Sequence, residues 1–356
     1  MSPPLAAPER THALLVGIEQ YAGGWPLDGP SRDVADMHAW LRGHGVPDAQ
    51  IHLEVAPLPD NAARVQALGA AIGPANGESV RNALLALRAQ AGDMLVLFWA
   101  GHGAISDGAH RLFVADATTA VKRNFAWADL RASLASSFFA GFPRQLLIVD
   151  ACADRRDDFE FSTPGDAMPV GDPRAPGQLA QFTFFATSPG EAAKNLGTER
   201  RGLFSRELLR ELQEADPAAR RWPPDLEPIA RRVQEAFRAL RADGRAAQAP
   251  RFEWRDWDGD LHEVHAPAPP RTPRADDRPA ELSARQLGLL VEVLLRCNCM
   301  RTEAARDDLL AELGDLAAQL GEQVVGYLEG DSTAWREIEQ LATTALAGLH
   351  LVLREA

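Results

Sequence analysis

Several short runs of this chain are apolar almost from end to end instead of alternating. They are His12–Ile18 (HALLVGI), Met94–Ala100 (MLVLFWA), Gln145–Val149 (QLLIV) and Phe182–Thr187 (FTFFAT), with Ile51–Val55 as a further run. A strand that is apolar on both faces needs cover on both faces, which is the condition of a parallel sheet and not of a half-solvated hairpin. The segments between the runs supply that cover. Val34, Met37, Trp40 and Leu41 recur at helical spacing and stop at Gly43 and Gly45, and Leu84, Leu85 and Leu87 mark another helix. Helices are also expected over Leu203–Glu214 and about Leu226–Arg241, followed from Arg251 by a hairpin turning at Asp258-Gly259. The pattern predicts an α/β fold, a mostly parallel sheet flanked by helices.

A chain of 356 residues has room for about two domains. Residues 10–265 form the expected α/β domain. Residues 266–280 carry Pro267, Pro269, Pro270, Pro273 and Pro279 and read as an extended linker. Residues 281–356 show no strand pattern, and leucines such as Leu309, Leu313, Leu316 and Leu320 at helical spacing predict a small all-helical bundle. Within the first domain, Arg155–Gln178 is polar and proline-rich, and is expected to be a mobile loop with a functional role.

Charge and composition narrow the function. Asp and Glu number 50 against 37 Lys and Arg, a formal charge of -13 that argues against a nucleic-acid partner. Three cysteines make no disulfide framework, so a reducing compartment is expected. The N-terminus lacks the pattern of a signal peptide, and the longest central apolar run is too short for the roughly 20 residues that span a bilayer. No membrane partner and a cytoplasmic location follow as expectations.

The chemistry gathers at two strand ends. Met94–Trp99 runs into Ala100-Gly101-His102-Gly103, and Gln145–Val149 runs into Asp150-Ala151-Cys152-Ala153-Asp154. Ligands of open parallel sheets bind outside the carboxyl ends of strands, so His102 and Cys152 are expected neighbours although 50 residues apart (152 minus 102). An imidazole beside a thiol can take its proton, free the thiolate to attack a carbonyl, and later protonate the leaving amine. Backbone N–H groups of Gly103 and Cys152 could then face the developing oxyanion. Taken singly, a cysteine after an apolar strand is more often a small buried hydrophobe, and a histidine in a glycine turn is often only a turn residue; the joint placement of Cys152 and His102 at strand ends, with glycines around His102, favours the catalytic reading. No second Cys or His lies within four residues of Cys152, so zinc is not expected. Asp157, Asp158 and Glu160 have donor chemistry for Ca²⁺ but no defined loop spacing, and a solvated acidic cluster is the simpler reading. No cofactor is expected.

The stretches HALLVGIEQY (12–21), LDGPSRDVADMHAWL, GDMLVLFWAGHG (92–103), LLIVDAC (146–152), FFATSPGEAA (184–193), GLFSRELL (202–209) and QAP (248–250) together resemble the caspase-like cysteine peptidases, in particular the bacterial and metacaspase-type members. The resemblance implies a caspase-like sheet, His102 as general base and acid, and Cys152 as nucleophile. It implies Asp150, with Asp33, as carboxylates of the pocket for the residue before the cleaved bond, and hence cleavage after Arg or Lys. The alternatives are a helix N-terminal carboxylate for Asp33 and a loop-bracing role for Asp150. Position 154 is Asp where the family pattern has Gly, and no third triad member is required. The insert after Cys152 falls where the family often carries a segment cut on activation, so Arg174, Arg155 and Arg156 are candidate processing sites. The C-terminal strings LLVEVLLRCNCMRTEAARDDLLAELG and YLEGDSTAWREIEQL resemble the effector-associated, death-like domains of bacterial conflict systems. That implies an adaptor that brings the enzyme to a partner protein. The expected function is a recruited cysteine endopeptidase acting on a protein or peptide substrate in bacterial defence. The alternative is a catalytically silent scaffold that works by binding.

Overall fold

In the computed structural model the described residues are 6–69, 71–106, 108–153, 168–188, 193, 195–196, 201–215 and 221–264. All of them fall in the first of two units, Met1–Pro269 and Pro270–Ala356. The expected linker and C-terminal bundle, with Arg155, Arg156, Asp157, Asp158 and Glu160, lie outside the described residues.

The strands in chain order are β1 (Thr11–Ile18), β2 (Ile51–Ala56), β3 (Ile72–Gly73), β4 (Met94–Gly101), β5 (Gly103–Ser106), β6 (Ala109–Phe113), β7 (Asn124–Ala126), β8 (Arg144–Ala151), β9 (Ala180–Phe185), β10 (Asn195–Leu196), β11 (Arg201–Gly202), β12 (Arg251–Arg255) and β13 (Leu261–Val264). The helices are α1 (Pro30–Gly43), α2 (Ala62–Gln66), α3 (Gly77–Arg88), α4 (Trp127–Ala135), α5 (Leu203–Glu214) and α6 (Leu226–Ala242). Eight strands make one sheet in the order β13-β12-β9-β8-β4-β1-β2-β3. The run from β9 to β3 is parallel throughout, and β12 and β13 close one side as an antiparallel hairpin.

Strand geometry explains why the central strands are apolar throughout. Successive side chains point to opposite faces, so both faces of β1, β4 and β8 enter a core. Leu15, Val96, Phe98, Leu146 and Ile148 pack with Val34 and Met37 of α1, Phe204 and Leu208 of α5 and Val233 and Phe237 of α6. Their chain neighbours Leu14, Val16, Leu97, Trp99, Leu147 and Val149 pack on the other face with Val80, Leu84 and Leu87 of α3 and Leu130 and Leu134 of α4. The main sheet and its helices match the sequence expectation. The three-stranded sheet β5-β6-β7 and α4 do not announce themselves in the sequence, because their residues mix buried and partly exposed positions over short spans. No described helix is long and apolar enough to cross a membrane. Among the described residues there is no cluster of three or more His, Cys, Asp or Glu able to hold a metal ion.

One carboxylate organises the segment between β1 and α1. Glu19, with no solvent exposure, accepts from Gly29 N (3.1 Å), Ser31 N (3.1 Å) and Ser31 Oγ (2.6 Å) through Oε1. Through Oε2 it accepts from Leu58 N (2.8 Å) and Asn61 Nδ2 (2.8 Å). Charge-assisted bonds to several donors are what make a fully buried carboxylate tolerable. We predict that Glu19→Ala lowers stability by more than about 3 kcal/mol, because it strands several buried donors at about 1–3 kcal/mol each. Glu19→Gln, which keeps the shape and one acceptor, loses less. Urea denaturation checks this, and a loss under about 1 kcal/mol for the alanine variant would count against the role.

Candidate active site

Parallel pairing of β4 with β8 sets Gly101 opposite Ala151. His102 and Cys152 are therefore the next residues on two adjacent strands, whose spacing is about 4.8 Å. Both leave the carboxyl edge of the sheet. The strand order reverses between β1 and β4, so the loops after these two strands flank the position where open α/β sheets bind ligands.

The loop after β1 holds His102 from two sides. The His102 backbone N–H donates to the Tyr21 hydroxyl at 2.7 Å, and the two rings lie 4.9 Å apart between centroids. His102 Nε2 is 3.1 Å from the Trp25 carbonyl oxygen. A carbonyl only accepts, so Nε2 carries the proton in this contact, and in the neutral ring Nδ1 is the basic nitrogen. Tyr21 is buried, and burial, assisted by negative charge at Cys152, raises its phenol above the ordinary value. It therefore stays protonated.

Cys152 is half-buried. Its sulfur accepts from the Ala193 backbone N–H at 3.3 Å and lies 3.9 Å from the Ala193 carbonyl oxygen. Its carbonyl oxygen points into the fold and accepts from His110 Nε2 at 2.9 Å. Desolvation lowers the His110 pKa, so that ring is neutral near pH 7. Gly103 fits against the same carbonyl: a Cβ there would stand 2.7 Å from Cys152 O and 3.0 Å from the Ala151 Cβ. The loop after His102 and the loop after Cys152 are thus fitted backbone to backbone, which only glycine allows at position 103. Phe113 N donates to His102 O at 3.1 Å, so the Gly103–Leu112 pair is a non-bonded position of the β5–β6 ladder. By that alternation the Gly103 N–H points away from β6.

Asp33 and Asp150 converge on one point. A Cβ on Gly202 would lie 2.4 Å from Asp150 Oδ2 and 3.1 Å from Asp33 Oδ2. Asp33 sits in the first turn of α1, and its Oδ2 accepts from Gly202 N at 2.8 Å. Asp150 Oδ2 accepts from Ser205 Oγ (2.6 Å) and Ser205 N (3.2 Å) at the start of α5. Burial is the main cause that pushes both carboxyls up, Asp33 well above its ordinary range and Asp150 to about 6. The Asp150 charge raises Asp33 further, while the Gly202 N–H and Arg201 oppose the rise. The helix-terminal and bracing alternatives are also visible here, since Asp33 does lie in a first turn and Asp150 does hold the end of α5.

Arg174 is not an open site. Its guanidinium donates to the carbonyl oxygens of Ser136 (2.9 Å), Phe142 (2.9 Å), Leu134 (3.1 Å), Gln178 (3.3 Å) and Phe139. Desolvation lowers its pKa to about 10. Residues 168–178 are tied to the α4 end of the fold, with Met168 in the core and Gly171 N on Ser136 Oγ at 3.0 Å. The expectation that all of Arg155–Gln178 is loose is corrected for this part: Arg174 braces five carbonyls and could reach a cleavage site only by releasing them.

Sequence reasoning passed over Trp25, Tyr21, His110, Ser205 and Arg201. Trp25 and Ala193 act through backbone atoms, which carry no residue signal. Tyr21 closes the HALLVGIEQY string and was within reach.

The family model of the caspase domain, peptidase C14, matches residues 10–260. Among solved structures, a protein of Geobacter sulfurreducens aligns at 16% identity and TM-score 0.45, covering 69% of this chain and 93% of its own. Caspase-1 of Spodoptera frugiperda aligns at 16% and 0.43, covering 70% of this chain and 88% of its own. The Drosophila initiator caspase Dronc aligns at 13% and 0.42, covering 73% and 84%. No curated protein matches. With more than half of its length matched by one family model, the chain belongs to the caspase domain family.

Proposed function

We propose that this chain is a cysteine endopeptidase that cuts proteins after Arg or Lys, with His102 and Cys152 as its dyad. The observation that carries the reading is the β4–β8 register, which starts both residues side by side at the carboxyl edge, with His102 Nε2 committed to Trp25 O. In the reaction Nδ1 takes the thiol proton and Sγ attacks the substrate carbonyl carbon. The resulting oxyanion is met by the N–H groups of Gly103 and Cys152. As the C–N bond breaks, the imidazolium gives its proton to the leaving amine. Water, deprotonated by the same imidazole, then releases the acid from the thioester. The bound Arg or Lys side chain is held by the Asp33 and Asp150 carboxylates. Residues 281–356 serve as the adaptor that recruits a partner protein and so places the enzyme in a bacterial defence response. Self-cleavage at Arg174 has no place in this scheme, because its guanidinium is already spoken for.

Cys152→Ala and His102→Ala are each expected to lower kcat/KM by at least about 10³ on a peptide with Arg before the cut, with urea unfolding midpoints close to wild type. Full retention of turnover in either variant would overturn the dyad, and a folded wild type that cleaves no peptide would leave the scaffold reading standing. His110→Ala is expected to lower kcat about tenfold by loosening the Cys152 carbonyl, and His110→Asn, which restores a donor, recovers most of that.

The acidic pair predicts a pH dependence of definite sign. Asp150 has its folded pKa raised to about 6, so the unfolded chain ionises first as pH rises from about 4. Its contribution to stability therefore becomes unfavourable between about pH 4 and 6 and stays so above. Asp150→Asn should lose less stability than wild type between pH 4 and pH 7, with the buried Asp33 carboxyl accounting for what it still loses. Substrate binding runs the other way: KM for Arg peptides should fall as pH rises through about 6, and the Asn variant should lose this dependence and most of its preference for Arg over Gln. Denaturation and steady-state kinetics across pH 4–8 check both.

A further inference from the structure

The acidic pocket already holds a cation. Arg201 lies on β11, immediately before the Gly202 on which Asp33 and Asp150 converge. Its Nη2 is 3.0 Å from Asp36 Oδ2 and its Nε is 3.9 Å from Asp33 Oδ1, with the side chain only 15% exposed. Arg32 also approaches Asp36, at 3.9 Å from the solvent side. The contact between Arg201 and Asp33 is unequal to the one with Asp36. At 3.9 Å it is an ion pair without a hydrogen bond, and both Asp33 Oδ1 and Arg201 Nε are buried with no hydrogen-bond partner among the described residues. A well-formed guanidinium–carboxylate fork closes to about 2.7–2.9 Å. The other Asp33 oxygen is already satisfied by Gly202 N. Asp33 Oδ1 is thus an unsatisfied buried acceptor, and Arg201 lies close to it without bonding it.

We propose that Arg201 is a built-in competitor of the substrate: its guanidinium stands beside Asp33, where the Arg or Lys side chain before the cut must go, and binding requires it to swing away from Asp33 toward solvent while Asp36 retains it. This rests on the reading of Asp33 and Asp150 as the pocket for that residue, and adds the regulation of that pocket. The backbone of Arg201 has no room to yield, since a Cβ on Gly29 would already stand 2.9 Å from the Arg201 Cα. The exchange is therefore made by the side chain alone. Asp36, more exposed at 36%, keeps a partner for the displaced guanidinium. The competitor partly offsets the burial that raises the Asp33 pKa, and tightens selection, because only a cation able to bond Oδ1 properly can replace it.

The consequence is quantitative. If the competitor occupies the pocket nine times in ten, apparent affinity for basic peptides is weakened about tenfold. The test compares wild type, Arg201→Ala and Arg201→Met on matched peptides with Arg, Lys or Gln before the cut. The methionine variant keeps an apolar stem in place should the alanine variant fold poorly. Benzamidine, a small amidinium probe, is titrated calorimetrically into Cys152→Ser with and without the Arg201 changes. The expected result is a KM for Arg and Lys peptides lowered about tenfold, benzamidine bound about tenfold tighter, and a KM for the Gln peptide that does not fall. An unchanged or raised KM for Arg peptides in variants folded like wild type, with clear preference for Arg over Gln retained, overturns the competitor alone. A wild type indifferent to charge before the cut overturns the pocket reading and the competitor with it.

Discussion

The carboxylate of Glu19 is the interaction on which the two halves of the site both lean. It lies at the end of β1, has no contact with solvent, and gathers donors from Gly29, Ser31, Leu58 and Asn61. The loop it closes contains Tyr21 and Trp25, which fix the His102 backbone and ring. The helix it starts contains Asp33, two residues beyond Ser31 in the first turn of α1. A shift of this staple would move the basic imidazole and the acidic pocket together. The family fold supplies strand ends; Glu19 turns two of the loops above them into fixed geometry.

How much of this the sequence disclosed follows from what kind of atom does the work. The strands were legible because burial on both faces leaves little but apolar residues in Met94–Trp99 and Gln145–Val149. The placement of His102 and Cys152 at neighbouring strand ends was legible because both follow directly on those strands. Asp33 and Asp150 came through the resemblance, and the fold brings them to one place at Gly202. Trp25 was not legible, since its carbonyl is a group every residue owns. Arg174 misled, because an arginine in a proline-rich stretch gives no sign of the five carbonyls that its guanidinium joins. The three-stranded sheet beside the site was missed because its strands are short and only partly buried, too brief for either period to show.

The paired carboxyls of Asp33 and Asp150 oppose stability where they are ionised. Two carboxyls buried side by side both resist ionisation, and burial outweighs the bonds from Gly202 and Ser205. Hydrophobic residues of the same volume would fold at less cost. Arg201 lies close by, with its Nε 3.9 Å from Asp33 Oδ1, a distance that leaves this oxygen without a hydrogen bond among the described residues.

The same economy appears around the nucleophile. The Cys152 carbonyl is turned inward to His110, and Gly103 closes over it. Because a peptide unit is planar, turning that carbonyl inward fixes the direction of the Ala153 N–H as well, and with it the path by which the chain leaves the site. His110 and Gly103 both belong to the β5–β6 hairpin that begins right after His102. One hairpin therefore carries the backbone following the base and clamps the backbone of the nucleophile. The relative placement of the His102 and Cys152 backbones is set by two constraints, the sheet register beneath and this clamp above, and each side chain adds a contact of its own, His102 to the Trp25 carbonyl and Cys152 to the Ala193 N–H.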